Sequence, residues 1–518
     1  MSKQNLLVNL DAMIARADFA VTSEAGEHYE NVPTISIRDF MKEGFIGPIL
    51  RKPDFQRETN HWNPKQVFSL LKCFLDGELI PSVILWKSTT HLFVIDGGHR
   101  LSVLRAWVED DYGDGSISQQ FFGSAISKAQ RKAAEQARTL VNDGIGSFTH
   151  FQEKIGGASS DARVLSVVTR GLPIQWVKGD ADKAEESFFR INTQGTPLDE
   201  IEELLLRNRD KPIAISARSV IRAGKGHKYW SHFEHELYSR IEALARSLHE
   251  VLFDPEVASP IKTLDLPLGG SKGVRTALQV LIDYFKIACS NQTNTVVGID
   301  YGGDDLTGHE TIGVLEKALK LAQRITGNDR GSLGLHPAVY FYSPSGAHSI
   351  PMFLGTVSLI HERLRNNDKE FFRAFSKSRE IIETTLVEHK DLIATILQRV
   401  VSKKRVNAFK VILESIYLSA KKGETPTPEQ MVEWGGVAGR IVVGADAIVG
   451  SDISDDAKSR TFISTALQGI PKCPLCNGYI DVAKSVSYDH ILRVREGGTG
   501  SAANVQITHP YCNQSLKN

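Results

Sequence analysis

Three of the five cysteines of this 518-residue chain lie near its C-terminus, at spacings that suit a metal ion. Cys473 and Cys476 form a C-x-x-C pair. Further along the chain, His509 and Cys512 repeat that separation. Two intervening residues let both side chains of a pair face one ion, so the four residues offer three thiolates and one imidazole, a closed set typical of structural zinc. In a segment of about 50 residues, such an ion would supply much of the folding free energy.

The alternative interpretation of these cysteines is a group of buried free thiols. A disulfide framework is excluded, because five cysteines are too few to cross-link a chain of this length. The other two, Cys73 and Cys289, stand singly in apolar segments. The clustering near the C-terminus therefore favours a zinc site.

The residues between the two pairs are of the types that hydrolyse phosphodiesters. Asp489 offers a hard oxygen ligand for Mg²⁺ or a similar ion, and the adjacent His490 offers an imidazole that can take a proton from water near neutral pH. Hydrolysis needs such a base together with a cation that neutralises the charge growing on the phosphoryl oxygens. Arg493, Arg495 and Lys517 could place positive charge near the phosphate.

The same segment carries, in order, an Asp-His-Ile triplet, a Gly-Gly turn, an asparagine, and a final Cys-Asn followed by a lysine. This order resembles the HNH family of metal-dependent nucleases over about residues 470–518. The resemblance implies a ββα-metal fold in which two strands carry Asp489 and His490. A loop with Asn504 and a closing helix after Cys512 would complete it.

The resemblance also implies a role for each polar residue. Asp489 and Asn513 would hold the catalytic divalent ion, and Asn504 would hold His490 in place through a backbone or side-chain contact. His509 stands where relatives commonly have the first cysteine of a second C-x-x-C, and we interpret it as a zinc ligand. One alternative makes it a catalytic histidine and leaves zinc three-coordinate or absent. Another makes the whole tail a noncatalytic zinc ribbon that only binds DNA.

A second candidate site lies at residues 95–100, which read IDGGHR between a predicted strand and a predicted helix. Glycines at such a junction let the backbone approach a ligand, and the start of a helix presents free N–H groups to an anion. Arg100 adds a bidentate phosphate donor, and Asp96 could hold a metal or orient water. A glycine-rich turn of this kind is common, so the motif needs support from its surroundings.

That support comes from a Gln-Arg pair upstream, an Ile-Pro before the strand, and an F-x-R-x-N-x-x-G segment beginning at Phe188. The set resembles the N-terminal domain of GmrSD-type restriction systems, a ParB/sulfiredoxin-like fold, over roughly residues 30–210. The resemblance implies nucleotide binding and hydrolysis and the sensing of modified DNA, although Gly98 stands where the family more often has glutamine. By position, the candidates to contact a nucleoside triphosphate and its metal are Arg57, Asp96, His99, Arg100, Arg190 and Asn192. The alternative for Arg190 is a buried ion pair with Asp96.

Short elements should position this turn. The patterns predict a helix over Pro64–Leu79 with Asn63 as its N-cap, strands at Ser82–Trp86 and His91–Ile95, a helix at Leu101–Glu109 and a strand at Leu172–Val177. We expect Trp62, Trp86, Trp107 and the pair Phe188–Phe189 to be core residues rather than a platform for bases.

Residues from about 216 to 420 should be helical, since their apolar residues recur at 3.6-residue spacing. Examples are Leu237–Leu252, Ala277–Cys289, Ile312–Ile325 and Asp391–Ser419. The basic run Ser402–Arg405 is interpreted as a solvated helix face, with a contact to DNA phosphates as the alternative.

The overall charge carries no signal for a polyanionic partner, because Lys+Arg and Asp+Glu both number 61. A nucleic-acid enzyme would need a local basic surface instead. Hydrophobic residues make up 41% and charged residues 24%, which is typical of globular proteins. No apolar run approaches the roughly 20 residues of a membrane span, and the N-terminus lacks a signal-peptide core. We expect a cytoplasmic protein with no membrane partner.

These observations lead to one hypothesis for the chain. We expect an α+β multidomain protein with a ParB/sulfiredoxin-like domain at residues 1–215, a mainly helical domain at 216–465 and an HNH domain at 466–518. It would be a metal-dependent DNA endonuclease of restriction or phage defence, regulated by an N-terminal domain that binds NTP and senses DNA modification. The alternatives are an NTPase, or a DNA-binding regulator with a noncatalytic zinc tail. Cutting both strands with one site per chain would favour a homo-oligomer or sequential nicks.

Overall fold

In the computed structural model, the described residues fall into two compact units. The first comprises those up to Arg209, and the second comprises those of Asp210–Gly224 and from Trp230 onward. The described residues are 6–17, 32–53, 56, 59–60, 62–123, 126–155, 162–179, 183–184, 187–188, 191, 200–224, 230, 232–257, 259–270, 274–291, 297–439 and 453–517. Among them, no helix combines the length and the apolar character that crossing a bilayer demands.

The first unit alternates short strands with helices. Its strands are β1 (Arg16–Ala17), β2 (Thr34–Ser36), β3 (Leu50–Pro53), β4 (Val83–Lys87), β5 (Leu92–Asp96) and β6 (Gly171–Val177). Its helices are α1 (Ile46–Ile49), α2 (Pro64–Leu75), α3 (Gly98–Glu109), α4 (Ser116–Phe122), α5 (Lys128–Gly144), α6 (Phe148–Lys154), α7 (Ala162–Thr169) and α8 (Glu200–Arg207). The predicted strands and helices around the glycine-rich turn are confirmed, although α2 ends at Leu75 rather than at Leu79 and α3 begins at Gly98 rather than at Leu101.

The six strands form one mixed sheet in the order β1-β3-β5-β4-β6-β2. Strand β5 pairs parallel with β3 and antiparallel with β4, and β4 pairs parallel with β6. Phe93, Val94 and Ile95 of β5 are all fully buried, as expected for an inner strand covered on both faces. Because β5 ends at Asp96, the glycine-rich turn leaves the sheet at the carboxyl end of an inner strand.

Helix α2 begins where the sequence indicates. The Asn63 side chain accepts the N–H of Gln66 at 3.0 Å, and the Gln66 side chain accepts the N–H of Asn63 at 3.0 Å. This reciprocal capping satisfies two donors that the first turn leaves unpaired. Pro64 follows at the first helical position, where its missing N–H costs nothing.

Most of the aromatic residues predicted as core residues are confirmed. Trp86, Trp107 and Phe188 are each 1% exposed. Trp62 differs, because it is only half-buried and its ring stacks on that of His99 with centroids 5.4 Å apart. Phe189 lies outside the described residues.

The second unit is mainly helical, which confirms the prediction for the middle of the chain. Its helices are α9 (Pro212–Ile221), α10 (His235–Phe253), α11 (Val274–Ala288), α12 (His309–Ile325), α13 (Pro337–Tyr340), α14 (Ile350–Arg365), α15 (Lys369–Lys377), α16 (Arg379–Glu388), α17 (Lys390–Arg399), α18 (Arg405–Lys421), α19 (Pro428–Trp434), α20 (Asp455–Gln468) and α21 (Pro510–Ser515). Buried residues recur at three- and four-residue intervals; in α12 they include Val314, Ala318, Leu321 and Ile325.

One predicted helical stretch, Asp391–Ser419, is two helices rather than one. Between α17 and α18, Val400 is extended and residues 402–404 form a single 3₁₀ turn. Arg405 donates from Nε to the Val400 carbonyl at 3.0 Å, so a side chain satisfies an acceptor at the break. Lys403 and Lys404 in the turn are exposed, in agreement with a solvated basic run.

The C-terminal tail belongs to the second unit and contains a small sheet of its own. Strand β7 (Ser487–His490) pairs antiparallel with β8 (Val505–Thr508), and α21 follows directly. This strand-strand-helix order agrees with the expected order of elements, with two corrections. Asp489 and His490 both lie on the first strand, and α21 begins before Cys512, at Pro510.

Candidate metal centre and active site

Cys473, Cys476, His509 and Cys512 come together as a buried group. Their candidate ligand atoms all lie within 4.8 Å of one another. The first pair is shaped by a tight turn, in which the N–H of Cys476 and the N–H of Asn477 both donate to the Cys473 carbonyl, at 3.2 and 2.8 Å. The group can hold a metal ion, as the spacing predicts.

The orientation of His509 is that of a metal ligand. Its Nδ1 lies 3.3 Å from Cys476 Sγ and 3.8 Å from Cys512 Sγ. On the other side of the ring, Nε2 lies 3.0 Å from the Tyr479 carbonyl oxygen, which accepts its proton. Such an outer hydrogen bond fixes the tautomer and leaves the Nδ1 lone pair for an ion. This geometry favours the interpretation of His509 as a structural ligand over a catalytic one.

The three thiols cannot all ionise comfortably without a cation. The S–H groups of Cys476 and Cys512 donate toward Cys473, which lowers the pKa of Cys473. The same interactions raise the pKa of the thiols of Cys476 and Cys512. Zinc removes this conflict, because a coordinated thiol is deprotonated outright. The donor set therefore fits zinc.

A buried ion pair on α16 holds the first pair of cysteines in place. Arg379 donates from Nε to Glu383 Oε1 at 2.6 Å, and both side chains are 1% exposed. The other carboxylate oxygen of Glu383 accepts the N–H of Tyr479 at 2.6 Å. Gly478 lies against the guanidinium arm, because a Cβ at this position would come within 2.6 Å of Arg379 Cδ. The turn that carries the cysteines is thus fitted to α16.

Sequence reasoning missed this ion pair. Arg379 and Glu383 stand four residues apart, a spacing that also occurs on countless exposed helix faces. The signal that could have found them is the context of apolar residues, since Ile382 and Leu386 on the same helix are fully buried.

Asp489 is 9% exposed and already has a cation beside it. Its Oδ2 accepts from Lys517 Nζ at 2.8 Å and from Gln506 Nε2 at 3.1 Å. Gln506 lies directly opposite on β8, a partner that the motif does not contain. The ammonium of Lys517 therefore neutralises this carboxylate in the structure.

His490 ends β7 opposite Val505, and its side chain is half-buried. The loop that follows is exposed, with Val494 at 67%. Arg493 and Arg495, the predicted phosphate contacts, lie on this loop. Of these two basic residues after the candidate base, Arg495 is exposed and Arg493 is half-buried.

Asn504 fixes this loop rather than the His490 side chain. Its Nδ2 donates to the carbonyls of Leu492 and Thr499 at 3.0 and 2.7 Å, and its Oδ1 accepts the N–H of Leu492 at 2.7 Å. Its own carbonyl accepts the N–H of Ile491 at 2.8 Å. The predicted contact to His490 is therefore replaced by contacts to the residues that follow it.

Asn513 joins α21 to β7. Its Nδ2 donates to Ser487 Oγ at 2.8 Å and to the Tyr488 carbonyl at 3.0 Å. The amide nitrogen is thus committed to the strand, and Oδ1 is the atom of this side chain that can serve a metal ion.

In the first unit, the predicted glycine-rich turn connects β5 to α3. Gly97 has φ +98°, and a Cβ there would approach Val83 Cγ1 to 2.6 Å, so this position requires glycine. Arg100 Nη2 donates to Asp96 Oδ2 at 2.6 Å, and the two side chains are 14% and 41% exposed. Arg100 is therefore the ion-pair partner of Asp96 among the described residues. The predicted contacts Arg57, Arg190 and Asn192 lie outside them.

The hollow beside the turn is small. Gln56 donates from Nε2 to the carbonyls of Val94 and Ile95 at 3.1 and 3.4 Å. The hollow that it lines together with His99 measures about 30 Å³, counted over the described residues.

Comparison with known protein families gives a match in the first unit. Residues 37–209 match the family model described as GmrSD restriction endonuclease, N-terminal domain. No curated protein and no solved structure matches the chain. The matched residues include most of the sheet of the first unit together with its glycine-rich turn, and they end before the helical middle and the tail. Residues 37–209 are thus similar to the N-terminal domain of GmrSD restriction endonucleases.

Proposed function

We propose that this chain is a GmrSD-type restriction endonuclease whose C-terminal tail is an HNH nuclease that cuts DNA. The family match supports the nuclease class and DNA as the partner, because restriction endonucleases act on DNA. The observation that carries the assignment of the tail is the buried Cys₃His group. A zinc ion there would hold β7, β8 and α21 together around Asp489 and His490, in the order of the HNH motif.

The chemistry of the proposed site belongs to four side chains. His490 takes a proton from the attacking water, and its half-buried position leaves it accessible to that water. Asp489 and the Oδ1 of Asn513 would hold the divalent ion, Mg²⁺ or similar, which neutralises charge on the phosphoryl and leaving oxygens when it is bound. Asn504 keeps the loop after His490 in one conformation through its hydrogen bonds.

Lys517 would pair with Asp489 in one state of the site and with a DNA phosphate in another. Without a divalent ion, its ammonium neutralises Asp489 at 2.8 Å. An ion on Asp489 would release Lys517 to a DNA phosphate, alongside Arg493 and Arg495. The basic groups around β7 thus serve two states of the site.

For the rest of the chain, we propose three functional regions: a sensor at 1–215, a helical middle at 216–465 and the nuclease at 466–518. The sensor would respond to DNA modification and would bind a nucleoside triphosphate near Asp96 and His99. We propose a cytoplasmic location for the protein. To cut both strands, it would make sequential nicks or act as a homo-oligomer.

Plasmid cleavage tests the nuclease assignment. The zinc-loaded full chain is incubated with modified and unmodified supercoiled plasmid and Mg²⁺, with and without each NTP. We expect nicked or linear product, and we expect His490→Ala to lower the cleavage rate by at least about 100-fold, the usual contribution of a general base. Bound zinc, measured by metal analysis, should stay at the wild-type level in this variant.

The matched control is His235→Ala, which removes an exposed histidine at the start of α10 and should cleave like the wild type. Cleavage by His490→Ala at the wild-type rate would contradict the assignment of the base. DNA binding by the wild type without Mg²⁺-dependent cleavage of any substrate would identify a regulator with a noncatalytic tail instead.

A further inference from the structure

The second unit contains a cavity of about 640 Å³ that the proposed nuclease does not use. It is lined by the end of α11, one face of α12, the end of α14 and part of the loop after α12. A volume of this size is typical of sites for small molecules. None of its lining residues is a proposed zinc ligand or catalytic group.

The walls of the cavity are strongly basic. Lys317, Lys320 and Arg324 of α12 follow each other at three- and four-residue intervals, so they share one face of the helix. Arg365 adds a fourth permanent positive charge from α14, and Asp329 contributes the one negative charge among the described residues that line the space. A concave site with this excess of cations concentrates small anions.

The rest of the lining is partly apolar and partly polar, the polar side chains being Ser290, Gln323, His361 and Asn367. Ala288, Leu321 and Leu364 stand between the basic residues. The thiol of Cys289 also lines the cavity, and burial raises its pKa to about 11, so it serves as a small apolar surface rather than as a nucleophile. The ligand that suits this lining has an apolar part and several negative charges.

We infer that this cavity binds a nucleotide, with its phosphates on Lys317, Lys320 and Arg365 and its base against Leu364. Lysine and arginine side chains are the usual partners of phosphate oxygens, and arginine adds paired donors. The volume is large enough for one such molecule.

The loop that borders the cavity is also bonded to the tail. The Gly327 carbonyl accepts from Ser485 Oγ at 2.7 Å, and Asn328 Oδ1 accepts the N–H of Val486 at 2.8 Å. Val486 directly precedes β7. A nucleotide that orders this loop would therefore also stabilise the start of the strand that carries Asp489.

Arg324 forms a second connection between the cavity and the tail. Its guanidinium lies 4.1 Å from the ring centroid of Phe372 and 4.8 Å from that of Tyr511 on α21. Tyr511 in turn donates its N–H to the Ser332 carbonyl at 2.9 Å. The binding of a nucleotide beside Arg324 would thus affect both the strand and the helix of the tail.

Calorimetric titration of the zinc-loaded full chain with ATP tests the site. We expect Lys320→Glu, a charge reversal at an exposed position on the cavity wall, to weaken the binding of one ATP by at least tenfold. Lys403→Glu makes the same change in the exposed turn before α18 and should bind like the wild type. Equal ATP binding by the wild type and Lys320→Glu, or no binding by the wild type, would overturn the inference.

Inorganic triphosphate separates the two halves of the ligand. The wild type should bind ATP more tightly than triphosphate, and Leu364→Ser should weaken ATP binding while leaving triphosphate unchanged. Equal affinity of the wild type for both probes would overturn the role given to the apolar wall.

Hydrogen exchange tests the connection to the tail without any cleavage assay, so it stands apart from the nuclease proposal. ATP should slow amide exchange at residues 327–334 and 484–490 in the wild type and in Lys403→Glu, and should leave it unchanged in Lys320→Glu. ATP binding with unaltered exchange at 484–490 would overturn the connection.

Discussion

The N-terminal turn and the C-terminal tail are held in place by different forces. The turn at Asp96–Arg100 leaves an inner strand of a six-stranded sheet that packs on extensive apolar clusters. The buried apolar cluster of the tail consists of Cys473, Cys476, Ile480 and Cys512, and three of these are proposed metal ligands. A segment with so small a core must gain its stability from an ion and from docking to its neighbours.

The ion pairs of the two regions differ in how far they are exposed to solvent. Arg100 and Asp96 are partly exposed, whereas Arg379 and Glu383 under the tail are completely buried. Partly exposed pairs contribute little to stability, while the loss of one partner from a buried pair leaves a charge that water cannot reach. Perturbations of the tail should therefore be severe and perturbations of the turn mild.

Removal of zinc should have the largest effect. We expect chelation, or Cys473→Ser, to unfold residues 470–517 while the first unit stays folded, because structural zinc contributes on the order of 10 kcal/mol. Segment-resolved hydrogen exchange together with metal analysis measures this. The control is Cys73→Ser, at a half-buried cysteine of the first unit, which should keep both zinc and protection. A Cys473→Ser protein with full zinc and a protected tail would refute the claim.

The second largest effect should come from Arg379→Met. The substitution leaves Glu383 buried without its partner, which typically costs about 3–5 kcal/mol. Since Glu383 also accepts the N–H of Tyr479, the loss should appear as weaker protection of residues 473–480. Urea unfolding gives the free energy, and Arg373→Met, at an exposed position of α15, is the matched control. Equal stability of the two variants would show that the tail does not depend on this pair.

The contrast between the two regions also explains what the sequence could predict. Patterns of adjacent residues determine local features, so the capping by Asn63, the strands around the turn and the Cys₃His group all follow from spacing. The contact between the Arg379–Glu383 pair and the tail could not be predicted, because Tyr479, whose N–H donates to Glu383, lies 96 residues away in the sequence. Contacts of that kind depend on how helices pack, which spacing along one helix does not determine.

The two asparagines of the tail illustrate a second limit. A motif indicates which residue types recur at a site. It does not indicate which atom of each side chain binds a ligand and which forms a structural hydrogen bond. Asn504 and Asn513 were expected at the centre of the chemistry, yet most of their polar atoms hold the backbone near β7. The break between α17 and α18 at Val400 was not predicted, because no proline or glycine near it indicates the end of a helix.

A smaller effect, dependent on pH, is expected at Lys390. Burial lowers its pKa from the ordinary 10.5 to about 7, and its Nζ donates to the Ala338 carbonyl. Between pH 7 and 10 the unfolded chain then binds a proton that the folded chain does not, so the free energy of unfolding should rise with pH across this window. The slope for one proton is at most about 1.4 kcal/mol per pH unit.

Lys390→Met should remove that slope and raise the stability at pH 7, because an apolar side chain of similar length avoids the cost of burying an ammonium group. Urea unfolding at pH 7, 8.5 and 10 measures the free energy of unfolding of both proteins. Lys377→Met, at an exposed position of α15, should keep the wild-type pH dependence. A free energy of unfolding that rises more steeply with pH in Lys390→Met than in the wild type would contradict this prediction.

The smallest effect should be that of Arg100→Gln at the N-terminal turn. Asp96 is 41% exposed, so solvent screens the pair and its contribution should be at most about 1 kcal/mol. A double-mutant cycle with Asp96→Asn, followed by urea unfolding of each variant, isolates the pairwise energy. A coupling well above that range would mean that the turn depends on its ion pair as the tail depends on Arg379. A small coupling would leave the geometry of the turn to Gly97 and the sheet, and would leave Arg100 free to exchange its carboxylate partner for a phosphate at little cost in stability.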